Sequence, residues 1–385
     1  MIRFVRLFWS FLNLKWRVKP PSQRNILLYF KTGADVIAPY FSPEEFQVLD
    51  LRESEVNLFI VLKCLVDRDL SAKNYAQRFI EFAQPKLILT FIDNFPPFYL
   101  LKDQFPNVHA LLIQNGIRSN RGDLFGSLSI QNSSQQNKCD SMFVFGSSVG
   151  AKYLKYIKGN LIIHGSFKNN LTKKVSLIKN TVAYISTYRP NLKHDFIVPE
   201  SEPNNPIFYH EIISRREQVV LWLANYCVKH NQYLIIVGKH EQPDLEESYY
   251  RKVLKDFKFS FVARSTSTTS YTEIDKAEVV VFTSSSLGYE SLARGNKTAA
   301  IMLDAEIIGA EALKFGWPEK LADEGQFWTH QLNETRFTEI MDYLRTVSDP
   351  EWNQLRSEVI KNIISYDPDN SQFVKLINAL RASWQ

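Results

Sequence analysis

Residues 277–303 read AEVVVFTSSSLGYESLARGNKTAAIML, and the architecture follows from them. AEVVVF is a short, β-branched apolar run of the kind that forms a strand buried on both faces. Thr283, Ser284, Ser285 and Ser286 place hydroxyls where a helix can begin. LGYESLARG continues as a helix, and KTAAIML is a second apolar strand. Short apolar strands separated by helices imply a parallel sheet covered on both faces.

The same alternation runs on both sides of this unit. Upstream stand TVAYISTYRP (181–190), a helical stretch from Tyr209 to about His230, YLIIVGKH (233–240), a helix over 244–256 and FSFVARS (259–265). The first half repeats the scheme. NILLYF (25–30), KLILTFID (86–93), HALLIQNG (109–116), MFVFGSS (142–148) and NLIIHGS (160–166) read as strands, with helices over 55–66 and 71–83. The two series meet at FKNNLTKKVSLIKN (167–180), which is polar and basic. The expected division is therefore a terminal segment over 1–21, a Rossmann-like domain over 22–172 and a second over 173–333. A helical region over 334–385 packs back across them. A chain of 385 residues exceeds the size at which one core stops growing, which suits two domains with a cleft between them.

Hydrophobic residues make up 45% and charged residues 23%, an ordinary globular balance. The net charge of +5 fits an anionic substrate or membrane surface and is too small to argue for nucleic acid. Cys64, Cys139 and Cys227 are odd in number and far apart, forming neither a metal pattern nor a disulfide framework. That reads as a reducing cytoplasm. MIRFVRLFWSFLNLKWRVKPP (1–21) carries Phe4, Leu7, Phe8, Phe11 and Leu12 at helical spacing with five basic residues. It is too interrupted to span a bilayer and lacks a cleavage site. Two readings stay open: an interfacial helix on an anionic membrane at the inner face of the inner membrane, and a helix packed on the first domain.

Ligands of open parallel sheets bind beyond the carboxyl ends of the strands, so strand ends are the candidate site residues. In the second half these are Lys239 and His240, then Ser284, Ser285 and Ser286, with Glu290 one turn into the helix. Serine hydroxyls and free amides at a helix start make an anion site, and a glutamate there can hold ribose hydroxyls. Serine capping and surface charge are the structural alternative. In the first half the strand ends bring Asp93 with Asn94, and Gln114, Asn115 and Gly116, followed by Arg118 and Arg121. Asp93 is the carboxylate expected at the cleft, as base or nucleophile; the alternative is a helix cap. Arg118 and Arg121 offer charge to an anionic sugar or phosphate. His164, ending LIIHGS, is either a substrate contact or a structural histidine. No GxxxxGK[ST] loop, GxGxxG fingerprint or HExxH motif is present, and the expectation is neither cofactor nor metal.

These residues resemble a known family. IDN, QNGIR, HGSFKNN, ISTYRP, TSSSLGYESLARG and FGWPEKL…GQFW together resemble bacterial surface-carbohydrate proteins of O-antigen and capsule biosynthesis, over about residues 86–352. SSSLGYESLARG is also similar to the donor segment of retaining β-Kdo transferases and bacterial sialyl- and polysialyltransferases. The resemblance implies a metal-independent GT-B glycosyltransferase. Its donor would be a nucleotide sugar such as a CMP-activated ulosonic acid (CMP-Kdo), and its acceptor a growing glycan or lipid-linked sugar. It implies that Ser284, Ser285 and Glu290 bind the CMP moiety. The His-Pro pair of those families is replaced here by KHEQP (239–243). A CDP-glycerol-type polyol-phosphate transferase, with His164 and His240 as its histidine pair, and a non-catalytic scaffold of polysaccharide assembly are the alternatives.

Overall fold

The computed structural model describes residues 15–51, 55–120, 122–130, 136–189, 196–202 and 204–384. Its strands are β1 (Lys15–Arg17), β2 (Ile26–Tyr29), β3 (Phe46–Leu49), β4 (Glu55–Asn57), β5 (Leu87–Thr90), β6 (His109–Ile113), β7 (Asn137–Val144) and β8 (Ile157–Ile163). The second series is β9 (Ile178–Ile185), β10 (Tyr233–Val237), β11 (Phe259–Val262), β12 (Ala277–Phe282), β13 (Thr298–Ile301), β14 (Glu324–Gly325) and β15 (Trp328–Thr329).

Two main sheets result. A parallel six-stranded sheet runs β3-β2-β5-β6-β7-β8, and a seven-stranded sheet runs β11-β10-β9-β12-β13-β15-β14. In the second sheet only the β14–β15 pair is antiparallel. In β2 all four residues are buried, and Leu28 lies between Val48 of β3 and Leu89 of β5. Burial on both faces is why this strand and β5 carry no polar alternation. Strand order reverses between β2 and β5 in one sheet and between β9 and β12 in the other. Such reversals open a crevice at the carboxyl edge, where a ligand can enter.

Helices cover both faces. Ala76, Phe79, Ile80 and Ala83 of helix Ala72–Ala83 are buried on the first domain. The final helix, Ser371–Ser383, returns to the other face of the first sheet, where Phe373 and Ile377 pack with Ile26, Leu28, Phe143 and Phe167. Arg381 fastens it through Glu45 and the Tyr40 carbonyl. Helices Glu334–Thr346 and Asp349–Ile360 precede it on the second domain's side, where Phe337, Ile340 and Trp352 are buried. The crossing between domains is tied by a buried cation. Arg294, at the end of helix Ser286–Ala293, pairs with fully buried Asp275 and donates to the carbonyls of Asn169 (3.0 Å) and Thr172 (2.9 Å).

Several expectations are corrected here. Residues 15–17 form a strand paired with 55–57, not a helix. The helix expected over 55–66 therefore begins only at Leu58, capped by the Asn57 side chain. The rest of the amino-terminal segment, residues 1–14, lies outside the described residues, as does Arg121. Strand β3 and helix Thr269–Lys276 had no separate signal, because FQVL is only four residues long and TSYTEIDK is mostly polar.

Candidate functional site

A cavity of 320 Å³ opens between the two domains. One wall is the loop after β6, with Gly116, Ile117, Arg118, Ser119 and Asp123; the opposite wall is Ser284, Ser285, Ser286 and Tyr289. Glu200, Asp304, Lys314 and Trp317 also line it, with Met302, Ala312 and Leu313. The serines occupy the turn from β12 into helix Ser286–Ala293, at the strand-order reversal of the second sheet. Ser285 caps that helix, its Oγ accepting from the Leu287 amide at 3.3 Å. The helix's first amides and the serine hydroxyls thus converge on one side of the cavity, a setting suited to phosphate.

Arg118 projects from the other side, and what holds it is Asp93. Arg118 Nε and Nη2 donate to the two Asp93 carboxylate oxygens, each at 2.5 Å. Tyr153 donates to Asp93 Oδ2 at 2.6 Å, and the Asn115 amide reaches Oδ1 at 3.5 Å. Asp93 is 0% exposed, whereas the Arg118 side chain keeps 14% of its surface. Burial, and after it the charge of Asp93, pushes the Tyr153 and Tyr99 hydroxyls far above the usual tyrosine range, so both stay neutral donors. The expectation of an open carboxylate at the cleft is corrected. Strand β5 does deliver Asp93 to the sheet edge, but Arg118 stands between it and the cavity and takes up its charge.

The remaining expected residues divide. Ser284, Ser285, Ser286 and Arg118 meet at the cavity. Glu290 does not line it: it is 4% exposed, accepts from Tyr271 at 3.0 Å and lies beside Ser166 of the interdomain linker. Burial raises its carboxyl, with Ser166 and Tyr271 opposing. Gln114 is a structural brace, bonding the Phe145 amide and the Gly116 carbonyl at 2.8 Å each. Asn94 is exposed and Asn115 half-buried, neither on the cavity wall. His164 is fully buried, edge-on to Phe143 at 4.9 Å. Burial lowers its imidazole to about 4 against the opposing pull of Asp367, so it is a neutral core histidine and not a substrate contact.

Lys239 and His240 also lie off the cavity wall. Their amides are engaged by buried Glu246, at 3.2 Å and 3.0 Å, and Ser186 donates to the same carboxylate. Lys239 as a whole is exposed. Desolvation of its ammonium, with Arg216 and Arg189 nearby, lowers it to about 8. Among the described residues no cluster of His, Cys, Asp and Glu could hold a metal ion.

Glu200, Asp123 and Asp304 were not singled out from the sequence, yet they line the cavity. Glu200 sits in a proline-bearing stretch without periodicity, and Asp123 carried only its closeness to Arg118 as a signal. Asp304 pairs with Arg216, whose Nε donates at 3.2 Å. Asp123 accepts from the Ser119 amide at 2.8 Å and lies 3.8 Å from Arg118 Nη1.

Two parallel, doubly wound domains joined by a cleft, with a helix returning from the carboxyl terminus to the first domain, define a protein of the GT-B fold. The chain belongs to the family described as "putative O-antigen biosynthesis protein", whose model matches residues 111–381. Among solved structures it is similar to a "putative UDP-N-acetylglucosamine 2-epimerase" from Listeria monocytogenes. That likeness has a TM-score of 0.56 at 12% identity, over 94% of this chain and 97% of that one. The wall teichoic acid polymerase TagF matches with a TM-score of 0.50 at 9% identity, over 96% and 91%. A glycosyltransferase from Rickettsia africae matches with a TM-score of 0.50 at 10% identity, over 93% and 98%. At these identities the likeness is one of fold. No curated protein matches the sequence.

Proposed function

We propose that this protein is a glycosyltransferase of bacterial surface-polysaccharide assembly, moving a sugar from a nucleotide-activated donor to a growing or lipid-linked glycan. The observation that carries the reading is the cavity itself. A serine-lined helix start at a strand-order reversal faces a guanidinium fixed by a buried carboxylate, across the cleft between two domains. Phosphate at Ser284–Ser286 would leave the sugar directed toward Arg118, which suits a donor carrying a carboxylate of its own. Membership of an O-antigen biosynthesis family and the GT-B fold support the same reading.

The donor to test first is a CMP-activated ulosonic acid such as CMP-Kdo, on the strength of the SSSLGYESLARG resemblance. A UDP-sugar is the second arm, given the UDP-sugar epimerase among the structural neighbours. Polyol-phosphate transfer from CDP-glycerol draws support from the likeness to TagF. It loses support from the site, since His164 is buried and His240 is off the cavity, so the two are not assembled there. Among the described residues no helix is long and apolar enough to cross a membrane. We place the basic, aromatic segment 1–19 on an anionic membrane surface, where a lipid-linked acceptor resides. Vesicle co-sedimentation of chains with and without residues 1–19 tests this; equal binding refutes it.

The test of the main reading is a melting panel with CMP, CDP, UDP and GDP, followed by transfer assays with the matching activated sugar. A nucleotide at a hundredfold its Kd adds about 2.7 kcal/mol. A chain stabilised by none of the four, and inactive with all donors, is not a nucleotide-sugar transferase.

A further inference from the structure

We infer that Glu200 is the proton-accepting group of this site, taking the proton of an acceptor hydroxyl that meets the donor sugar in the cavity between Arg118 and the Ser284–Ser286 helix start. The inference rests on the transferase reading above and supplies the base that Asp93, sealed behind Arg118, does not.

The placement of Glu200 is built by the fold. It lies on a lobe of the second domain made by residues 196–202 and 204–208. The Val198 amide bonds the Ile207 carbonyl at 2.9 Å, and the Ser201 amide bonds the Val198 carbonyl at 3.0 Å. Val198 and Ile207 pack with Tyr209, Ile212, Ile213 and Ile308, which anchors the lobe to its domain. Its tip crosses to the other domain. A Cβ on Gly122 would stand 2.6 Å from the Cβ of Pro199, and Gly122 has φ +70°, so glycine both permits the contact and suits the turn. Glu200 follows Pro199 directly and lines the cavity that both walls share.

The other carboxylates there are already committed. Asp304 is held by Arg216, Asp123 by the Ser119 amide and Arg118, and Asp93 by Arg118 and Tyr153. Glu200 makes no ion pair among the described residues. The charged groups that face it are Asp123 from the first domain, Asp304 from the start of helix Asp304–Ile308, and Arg189 from the segment after β9. Arg118 and Lys314 stand on the same cavity walls. Burial, with the like charges of Asp123 and Asp304, raises its carboxyl, while Arg189 and its own backbone oppose. A base so raised retains a proton better than an ordinary glutamate, which brings it nearer the working pH of a general base.

In the transfer step the hydroxyl proton moves to the Glu200 carboxylate. The hydroxyl oxygen's lone pair forms the bond to the donor's anomeric carbon. The bond from that carbon to the phosphate oxygen breaks, and its electron pair stays on the phosphate beside Ser284–Ser286. Charge and atoms balance without a co-reactant.

The experiment compares wild type, Glu200→Gln and Glu200→Asp in the full chain, measuring kcat from about pH 5 to 9 and nucleotide affinity by calorimetry. Glu200→Gln is expected to lose about 10²-fold or more in kcat, keep nucleotide affinity within about twofold and lose the acidic limb of the kcat profile. Glu200→Asp is expected to keep that limb at a lower rate. Turnover of Glu200→Gln within about threefold of wild type, or an acidic limb that survives the substitution, overturns the assignment. If Glu200→Gln fails to fold, an acidic limb absent from both wild type and Glu200→Asp overturns it instead. A wild-type chain that binds no nucleotide overturns the transferase reading itself, and this assignment with it.

Discussion

Replacing Asp93 separates two roles that a carboxylate at a strand end can have. It accepts both bidentate bonds of Arg118 at 2.5 Å, the Tyr153 hydroxyl at 2.6 Å and the Asn115 amide, and it is 0% exposed. Asp93→Ala leaves Arg118 charged against a nearly dry pocket, and removing one member of a buried pair costs about 3–5 kcal/mol. The 14% exposure of Arg118 lets its guanidinium relax toward the cavity, so the lower end of that range, about 3 kcal/mol, is expected. Asp93→Asn keeps the shape and one acceptor oxygen but removes the charge that strengthens these bonds, costing about 2 kcal/mol. At roughly 2–4 °C per kcal/mol for a domain of this size, Asp93→Asn should melt about 4–8 °C lower, and its nucleotide affinity should fall because Arg118 is no longer fixed. The double replacement Asp93→Leu with Arg118→Met should regain most of the lost stability, since apolar groups can take the place of a buried pair. It should not regain ligand binding. Thermal and urea melts together with calorimetric nucleotide titration measure all of this. The reasoning is refuted if Asp93→Asn melts like wild type, binds nucleotide normally and yet turns over about 10²-fold more slowly, for Asp93 is then a catalytic base.

His164 gives a pH test. Its folded value of about 4 lies below the ordinary 6.5, so the unfolded chain binds the proton more readily. The stability this group contributes is therefore complete above pH 6.5 and is lost as pH falls toward 4, on the order of 3 kcal/mol in all. His164→Gln should flatten that part of the stability profile, and an unchanged slope refutes it. Arg294→Met strands Asp275, since both side chains are fully buried, and frees the linker carbonyls of Asn169 and Thr172. A loss of about 3–5 kcal/mol is expected in urea melts, and a loss under about 1 kcal/mol means the pair is not buried as described. Ser285→Ala removes the cap on helix Ser286–Ala293 and should cost about 1 kcal/mol, while Ser285→Gly costs only a few tenths. If both substitutions leave nucleotide affinity unchanged, the serine hydroxyl does not meet the ligand.

Local pattern was enough for the architecture. A strand buried on both faces must be apolar over its buried stretch, so VVVF, LIIV and LIL read as a parallel sheet from local pattern alone. Helices and strands in alternation then fixed two doubly wound halves, and the strand-end rule put Ser284, Ser285, Ser286 and Arg118 at the cleft. The same rule proposed Asp93, Lys239, His240 and His164, and there it went too far. A strand end places a backbone, but which distant group arrives beside the side chain is decided by packing. Asp93 met a guanidinium 25 residues away and a phenol 60 residues away; the Lys239 and His240 amides met Glu246, six or seven residues further on, from a helix that turns back over them. Glu200 is the converse case. Nothing in its irregular stretch marked it, and it comes over the cavity through the lobe's packing on its own domain and the contact between Pro199 and Gly122. The amino-acid sequence thus determined the two sheets and the serine-rich helix start, because burial acts residue by residue along a strand. The tertiary structure alone decided which charges face the ligand, because a charge is free to act only if no buried partner has already claimed it.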